Sequence, residues 1–238
     1  MRTAYTVFRN LYNVRKMTMK LVLASGSQRR RELLTMCGYD YEIIVSNADE
    51  TIDENDPESF VRALSFRKAK EVFDRIFAAG RRDFAVIGSD TVVAFQKEGE
   101  TKPVIIGKPK DAEDAVRILS MLSGKTHRVF TGVSVIADIP DENAAAQCSI
   151  REKEEIQTEC SITEVTFETL SPDEIADYVN SGDPLDKAGS YGIQGPFGMF
   201  VREIRGNYFT VIGMPIPVLY KMLKKIGILP HGFYERIE

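Results

Sequence analysis

The sequence predicts a single α/β domain built on a mixed, twisted β-sheet with flanking helices. Segments with strand patterns alternate along the chain with segments whose apolar residues recur at helical spacing. Some neighbouring strand patterns are joined by short polar stretches and others by helices, which indicates both hairpins and crossovers. The two kinds of connection together favour a mixed sheet over a purely parallel one.

The first half of the domain is expected to contain three strands and two helices. They are a strand over 21–24, a helix from Ser27 to Gly38, a strand over 41–45, a helix from Pro57 to Gly80, and a strand over 84–95 that is broken by Gly88-Ser-Asp-Thr. Ser27 and Asp56 are suitable N-caps, and Pro57 suits the first helical turn. A polar stretch over 96–102 predicts a hairpin tip.

The second half is expected to mix hairpins with amphipathic helices. The predicted elements are a helix from Asp111 to Gly124, a strand over 128–137, an exposed polar hairpin or loop over 138–158, a strand over 164–170, a helix from Ser171 to about Ser181, an irregular segment over 183–198, paired strands over 200–204 and 208–212, and a helix over 215–227. Ser171-Pro-Asp-Glu has the pattern of a capping box.

The composition excludes several classes of protein. The formal net charge is −4, whereas a protein that binds nucleic acid through bulk charge carries a basic excess. No apolar run approaches the ~20 residues of a membrane-spanning helix, so no membrane partner is expected. Three cysteines without a C-x-x-C pair favour a reducing compartment. With two histidines, a bound metal would depend on oxygen ligands, as Mg²⁺ or Mn²⁺ does.

Both ends of the chain are expected to lie outside the domain, which spans 20–230. Residues 1–19 contain basic residues and no acid, a composition found in organellar transit peptides. A disordered extension, or translation from a start that precedes Met17 or Met19, is the simpler interpretation. We therefore expect a cytoplasmic location, with organellar targeting left open, and a short C-terminal tail over 231–238.

An anion site is predicted where the first strand ends. Ser25-Gly-Ser-Gln-Arg-Arg forms a turn of small residues and then begins a helix, whose unpaired N–H groups and positive dipole end attract negative charge. Arg29 and Arg30 add guanidinium groups that can bind phosphate. Taken alone, the segment is better explained by a capped helix with solvated arginines, although arginines in a first turn oppose the helix dipole.

Asp90 is the strongest single candidate for a catalytic group. It lies inside the apolar run of 84–95, which is long enough to be a central strand. Burying a carboxylate costs on the order of several kcal/mol unless it is paired or bound to a metal. An acid in this position therefore favours a functional role, with a structural aspartate at a turn near Gly88 as the alternative.

Other polar residues are weaker candidates. Lys68 lies on the apolar side of the long helix and either extends to solvent or reaches a phosphate. Lys108 is a turn lysine or a further phosphate contact, and Asp49 and Glu50 are either solvated or in contact with Mg²⁺. Gln194 lies in a glycine-rich segment, where its amide could contact the edge of a base.

In their order along the chain, these motifs resemble those of the Maf family of nucleotide pyrophosphatases. Seven motifs between about residue 20 and residue 229 carry the resemblance: Leu23-Ala-Ser-Gly-Ser-x-Arg-Arg-x-Glu-Leu-Leu, Lys68-Ala, Ile87-Gly-Ser-Asp-Thr-Val-Val, Gly107-Lys-Pro, Leu122-Ser-Gly-Lys-Thr-His, Asp186-Lys-Ala-Gly-Ser-Tyr-Gly-Ile-Gln-Gly and Val211-Ile-Gly-Met-Pro. One of them would be weak evidence, whereas seven in order are specific. The resemblance implies a fold with a central cleft, related to the inosine triphosphatases, and often a homodimer.

The resemblance also implies an activity and a set of site residues. The activity is hydrolysis of a nucleoside triphosphate to the monophosphate and pyrophosphate with a divalent cation. The proposed catalytic aspartate of the family matches Asp90, and its motif acid, lysines and serine match Asp49, Lys68, Lys108 and Ser25. The residues that mark the dTTP/UTP subfamily match Arg29, Thr91 and Gln194.

The resulting hypothesis assigns the phosphates to the basic residues Arg29, Arg30, Lys68 and Lys108. Mg²⁺ or Mn²⁺ would bridge phosphate oxygens to acids such as Asp49. Asp90 would either deprotonate the attacking water or ligate the metal, and the sequence leaves both roles open. A non-catalytic, nucleotide-binding regulator of cell division is the alternative function.

Overall fold

The computed structural model describes residues 19–97, 99–139 and 153–231. Its strands are β1 (Lys20–Leu23), β2 (Glu42–Ile43), β3 (Phe84–Phe95), β4 (Val104–Ile106), β5 (Thr126–Ile139), β6 (Lys153–Phe167) and β7 (Val201–Arg205). Its α-helices are α1 (Gln28–Met36), α2 (Pro57–Ala78), α3 (Ala112–Leu122), α4 (Pro172–Asn180), α5 (Tyr208–Ile212) and α6 (Ile216–Lys225). The predicted α/β class is therefore confirmed.

All seven strands form one mixed sheet in the order β2-β1-β3-β5-β6-β7, with β4 paired to β3. Strands β1, β2 and β3 are parallel, and the other pairs are antiparallel. Strands β1 and β4 share one edge of β3. Pairing with β1 ends at Ile87 and pairing with β4 begins at Val93, so among the described residues no strand covers this edge over 88–92.

One face of the sheet is covered by α2. The N-cap Asp56 accepts a hydrogen bond from the Ser59 N–H, and Pro57 occupies the first turn, as predicted. Two glycines let the helix approach closely, because a Cβ at Gly88 would overlap the carbonyl oxygen of Ser65, and a Cβ at Gly132 would overlap that of Val61. This close approach determines how deep the side chains of α2 reach toward the sheet.

The opposite face carries two separate groups of helices. Helices α1 and α6 pack over one end of the sheet, around Leu34, Ile87 and Leu219. Helices α3 and α4 pack over the other end, around Leu119 and Phe167. The space between the two groups lies beside the uncovered edge of β3.

The strand pairing corrects one prediction and decides between the alternatives of another. The predicted break in β3 at Gly88-Ser-Asp-Thr is wrong, because pairing with β5 continues from Ala85 to Ala94. Of the hairpin or loop predicted over 138–158, the described ends form a hairpin, because β5 continues to Ile139 and β6 begins at Lys153, antiparallel to it. These ends are polar yet remain strands because each pairs with the other. Residues 140–152 lie outside the described residues.

The predicted strand over 208–212 is also wrong, because this segment is the short helix α5. The side chain of Asn207 accepts a hydrogen bond from the Phe209 N–H and caps the helix, and β7 pairs with β6 instead. Tyr, Phe, Thr, Val and Ile favour strands by propensity, but a local cap and tertiary contacts override such a preference.

The predicted terminal segments lie largely beyond the described residues. Residues 1–18 of the extension and 232–238 of the tail lie outside the described residues. Met19 is described and is buried against the core. The domain boundaries therefore stay a prediction. In the described ranges, no helix has both the length and the apolar character needed to span a membrane.

Candidate active site

A cleft of about 1560 Å³ opens at the uncovered edge of β3. Its walls come from the β1–α1 turn, α2, β3, the β4–α3 turn and the glycine-rich segment after α4. Eight of the nine predicted site residues line it: Ser25, Arg29, Arg30, Lys68, Asp90, Thr91, Lys108 and Gln194. The ninth, Asp49, is not among the described residues that line the cleft.

The gap in the sheet explains why two neighbouring residues of β3 both reach the cleft. Successive side chains of a strand point to opposite faces of the sheet. Asp90 accordingly contacts Lys68 of α2 on one face, and Thr91 contacts Arg30 of α1 on the other. Without a strand along 88–92, the cleft is open to both faces.

Lys68 and two carboxylates form the acidic part of the site. Lys68 Nζ lies 2.7 Å from Asp90 Oδ1 and 3.0 Å from Glu50 Oε1. The side chains of Lys68 and Asp90 are 11% and 12% exposed, whereas that of Glu50 is 65% exposed. Lys68 thus ends on a nearly buried acid rather than in solvent, donating a hydrogen bond to Asp90 and forming an ion pair with Glu50.

The acid next to Glu50 is directed elsewhere. The carboxylate of Asp49 accepts a hydrogen bond from the Thr51 N–H at 2.9 Å, and this bond holds its pKa below the usual range. Its side chain is exposed to solvent. The structure therefore brings Glu50, not Asp49, to Lys68, and a metal-binding role for Asp49 stays a prediction.

Arg30 is held by three acceptors around the first turn. Its Nε donates to the Gly213 carbonyl at 2.8 Å, and its two terminal nitrogens donate to Ser25 Oγ at 3.1 Å and Thr91 Oγ1 at 3.3 Å. Burial lowers the pKa of Arg30, and nearby Asp90 acts in the opposite direction. Two of its five N–H groups remain for an anion.

Ser25 has a proton available for a ligand. Its Oγ accepts from Arg30 and from the Ser27 N–H at 3.3 Å. A hydroxyl has two lone pairs and one proton, so these contacts use the acceptor sites and leave the O–H to donate. Ser27 caps α1 without a side-chain hydrogen bond to the helix.

Arg29 connects the first turn of α1 to the glycine-rich segment. Its guanidinium lies 3.3 Å from Asp186 Oδ2, and Lys187 Nζ lies 2.7 Å from Asp186 Oδ1. Burial tends to raise the pKa of Asp186, but Lys187 and Arg29 together hold it below the usual range. Asp186 is thus a carboxylate between two cations at the rim of the cleft.

A polar network behind the rim shapes the segment that carries Gln194. Tyr178 donates to Asp183 Oδ2 at 2.6 Å and accepts from the Gly192 N–H at 3.1 Å. The Gly189 N–H donates to the Gly107 carbonyl at 3.0 Å, which joins the segment to the turn that carries Lys108. Gln194 and Lys108 are both exposed at the mouth of the cleft.

His127 is not among the described residues that line the cleft. It is buried on β5, its Nε2 lies 2.9 Å from the Tyr191 hydroxyl, and its ring packs edge-on against Phe167. Burial lowers its pKa to about 3. It is therefore a neutral core residue at ordinary pH.

The donor atoms of the cleft fit a hard cation that also contacts substrate. In the described ranges, no group of three or more His, Cys, Asp and Glu side chains could hold a metal. Mg²⁺ is commonly bound by one or two carboxylates together with substrate phosphates. Glu50 and Asp90, both beside Lys68, supply such a pair of oxygen ligands.

The site is thus a cleft lined by cations with a nearly buried carboxylate at its centre. The sequence model of the family described as Maf-like protein matches residues 20–226. The chain belongs to this family.

Curated relatives match over most of their length. A protein of Agathobacter rectalis named dTTP/UTP pyrophosphatase is 41% identical over 217 residues, covering 88% of this chain and 98% of the relative. One of Bacillus thuringiensis subsp. konkukian with the same name is 42% identical over 210 residues, covering 88% and 96%. Among solved structures, the Ham1 protein of Staphylococcus aureus matches with a TM-score of 0.44 and 15% identity, covering 87% of this chain and 99% of that chain.

Proposed function

We propose that this protein hydrolyses nucleoside triphosphates, dTTP and UTP in preference, to the monophosphate and pyrophosphate. The observation that carries the proposal is the Lys68–Asp90 pair at 2.7 Å, with two arginines of the first turn of α1 lining the same cleft. The names of the relatives, which cover 88% of this chain, support both the reaction and the base preference.

In this proposal the cations bind the phosphates. Arg30 offers two N–H groups, Lys68 offers the N–H groups that it does not donate to Asp90, and Ser25 offers its hydroxyl proton. Arg29 and Lys108 lie at the rim, where they meet the charged chain as it enters. Arg29 leaves Asp186 to do so, which costs little because exposed ion pairs contribute about 0–1 kcal/mol.

Asp90 then orients and deprotonates the attacking water. The water oxygen forms a bond to the α-phosphorus while its proton passes to the carboxylate of Asp90. The bond from the α-phosphorus to the bridging oxygen breaks, and pyrophosphate leaves with the electron pair. A positioned base of this kind contributes about 10²- to 10⁴-fold to the rate.

Glu50 would hold Mg²⁺ or Mn²⁺ together with phosphate oxygens, and Asp90 would be a second ligand in the alternative in which it does not act as the base. When bound, the ion would neutralise charge on the phosphates and on the leaving pyrophosphate. Glu50 is better supported as a ligand than Asp49, because its carboxylate faces Lys68 in the cleft. Asp49 is the acid that the family resemblance indicates.

Base preference is assigned to Gln194. Its amide can accept from the ring N–H of uracil or thymine and donate to the neighbouring carbonyl. Cytosine has no ring N–H there, and an amide group that the bound base covers and leaves unsatisfied costs about 1–3 kcal/mol. The exposed position of Gln194 at the mouth of the cleft supports contact with an incoming base.

The test is a pyrophosphate-release assay with dTTP, UTP, CTP, GTP, ATP and 7-methyl-GTP. We expect turnover to be highest for dTTP and UTP. Release of orthophosphate instead of pyrophosphate would contradict the reaction, and tight nucleotide binding without any release would favour the non-catalytic regulator.

A homodimer and a cytoplasmic location complete the proposal. Cys37 and Cys160 form no disulfide, which supports a reducing compartment.

A further inference from the structure

A chain of hydroxyl groups leads from β5 to Arg30. Thr131 is fully buried and lies directly opposite Thr91 in the β3–β5 pairing. Thr131 Oγ1 is 2.7 Å from the Thr210 carbonyl oxygen and 3.0 Å from Thr91 Oγ1. Thr91 Oγ1 is in turn 3.3 Å from a terminal nitrogen of Arg30.

The direction of each hydrogen bond in this chain follows from its two ends. The Thr210 carbonyl can only accept, so the single proton of Thr131 is donated to it. Thr131 must then accept from Thr91, which uses the single proton of Thr91. Arg30 can only donate, so Thr91 accepts from it.

This arrangement limits what Thr91 can do in the cleft. With its proton donated to Thr131 and one lone pair occupied by Arg30, Thr91 has no donor left for the carbonyl groups of a base. Arg30, in contrast, is fixed from three sides by Thr91, Ser25 and Gly213. The hydroxyl chain therefore acts on the guanidinium.

We propose, on the basis of the function proposed above, that Thr131 is a positioning residue that fixes the guanidinium of Arg30 through Thr91. Thr131 accordingly acts on the binding of the triphosphate, which all nucleotides share, because Arg30 is the group that it fixes.

The experiment compares Thr131→Val and Thr91→Val with wild type in steady-state kinetics on UTP and CTP. Valine keeps the shape of threonine and removes the hydroxyl. We expect both variants to raise KM about tenfold, as for loss of one hydrogen bond to a charged group, with a smaller change in kcat. In Thr131→Val, the ratio of kcat/KM for UTP to that for CTP stays at the wild-type value. The loss in kcat/KM of the double variant is no larger than that of either single variant, because both substitutions interrupt the same chain of hydrogen bonds.

Two controls separate this role from a merely structural one. Thr158→Val breaks a similar bond, Thr158 to Ser134 at 2.9 Å, elsewhere in the sheet, and is expected to leave KM unchanged. Thr131→Ser keeps the hydroxyl and is expected to restore KM. A structural effect would lower the melting temperature in all the valine variants without this pattern in KM.

Several results would overturn the proposal. They are a changed UTP/CTP ratio in Thr131→Val, losses in kcat/KM that multiply in the double variant, or a wild-type KM in Thr131→Val. If Thr131→Val does not fold, the KM of Thr91→Val decides alone, and a wild-type value there overturns the proposal. If wild type releases no pyrophosphate, the proposed function fails instead, and calorimetric binding of inorganic triphosphate to the same variants tests the hydroxyl chain.

Discussion

Asp90 and Lys68 are close in space although 22 positions separate them in the chain. Each is nearly buried, so each lowers the cost of burying the charge of the other. A lone acid in an apolar strand pattern indicated Asp90, and its partner lies on the helix that covers that strand. Both were identified from the sequence because their residue types conflict with their apolar surroundings.

Replacement of Asp90 by asparagine is expected to lower kcat at least 10²-fold while the protein stays folded, because the shape is kept and the base is lost. Pyrophosphate release at saturating metal measures the effect, and circular dichroism verifies the fold. Asp74→Asn on the exposed side of α2 removes an acid paired with Lys70 and serves as the control. Turnover of the Asp90 variant at the wild-type rate would contradict the role of Asp90.

Replacement of Gln194 by alanine is expected to reduce the preference for UTP over CTP roughly tenfold, since one unsatisfied polar group costs about 1–3 kcal/mol. The ratio of kcat/KM values for the two nucleotides is the measurement. Gln96→Ala, at an exposed glutamine outside the cleft, is the matched control. Equal kcat/KM for UTP and CTP in wild type would argue against reading of the base edge.

His127 is expected to make the protein sensitive to acid. Burial depresses its pKa from 6.5 to about 3, so between these values the unfolded chain binds more protons than the folded one. The free energy of unfolding therefore falls as the pH drops below 6.5, by about 1.4 kcal/mol per pH unit until pH 3.

Urea denaturation of wild type and His127→Gln at pH 7 and pH 5 measures this effect. The loss of stability between the two pH values is expected to be smaller in the variant, which has no imidazole to protonate. His231→Gln, at an exposed histidine beside Asp40, is the control. Equal losses in wild type and His127→Gln would show that other groups cause the acid sensitivity.

At the scale of elements, the contact between α2 and the sheet positions the catalytic pair. Gly88→Ala is expected to destabilise the protein by about 1–3 kcal/mol, because its Cβ would overlap the Ser65 carbonyl and force the helix away. Since α2 carries Lys68, kcat/KM is expected to fall as well. Denaturant unfolding and kinetics measure the two effects.

The stability control for this change is Gly107→Ala, where a new Cβ would meet no atom within 4 Å. Its unfolding free energy is expected to stay at the wild-type value. A Gly88→Ala protein as stable as wild type would mean that α2 adapts to the methyl group without cost.

Elements with local determinants could be predicted, and those fixed by distant contacts could not. Neighbouring residues determine the helix caps at Asp56 and Ser171 and the spacing of the apolar residues in α3. Strand β6 begins at a charged stretch because β5 pairs with it, and α5 depends on Asn207 and on packing against β5 and β6. Neither dependence is visible within a short window of sequence.

At the scale of the whole molecule, the site combines residues from segments far apart in the chain. The sequence identified eight cleft residues by chemical type and by family motifs, but not which of Asp49 and Glu50 faces Lys68. The local turn, in which Asp49 accepts from the Thr51 N–H, decides which of the two carboxylates faces Lys68. The sequence pattern does not distinguish two adjacent acids. Thr131 and Tyr178 were missed because ordinary strand and helix residues become significant only through contacts across the fold.

Activity is expected to require Mg²⁺ or Mn²⁺, because a triphosphate brings several negative charges to two carboxylates. Chelation should abolish pyrophosphate release, and added Mg²⁺ should restore it. Glu50→Gln is expected to raise the metal concentration needed for half-maximal activity about tenfold, as for loss of one ligating charge. Asp49→Asn is the matched comparison and is expected to change it less. Activity that persists after thorough chelation would contradict metal dependence.

The uncovered edge of β3 also constrains how the gene can vary. Because Asp90 and Thr91 point to opposite faces, deletion or insertion of one residue between Ile87 and Asp90 would exchange the faces of the acid and the hydroxyl. Asp90 would then turn away from Lys68. The stretch that joins the β1 contact to Asp90 therefore cannot change in length while the pair with Lys68 is kept.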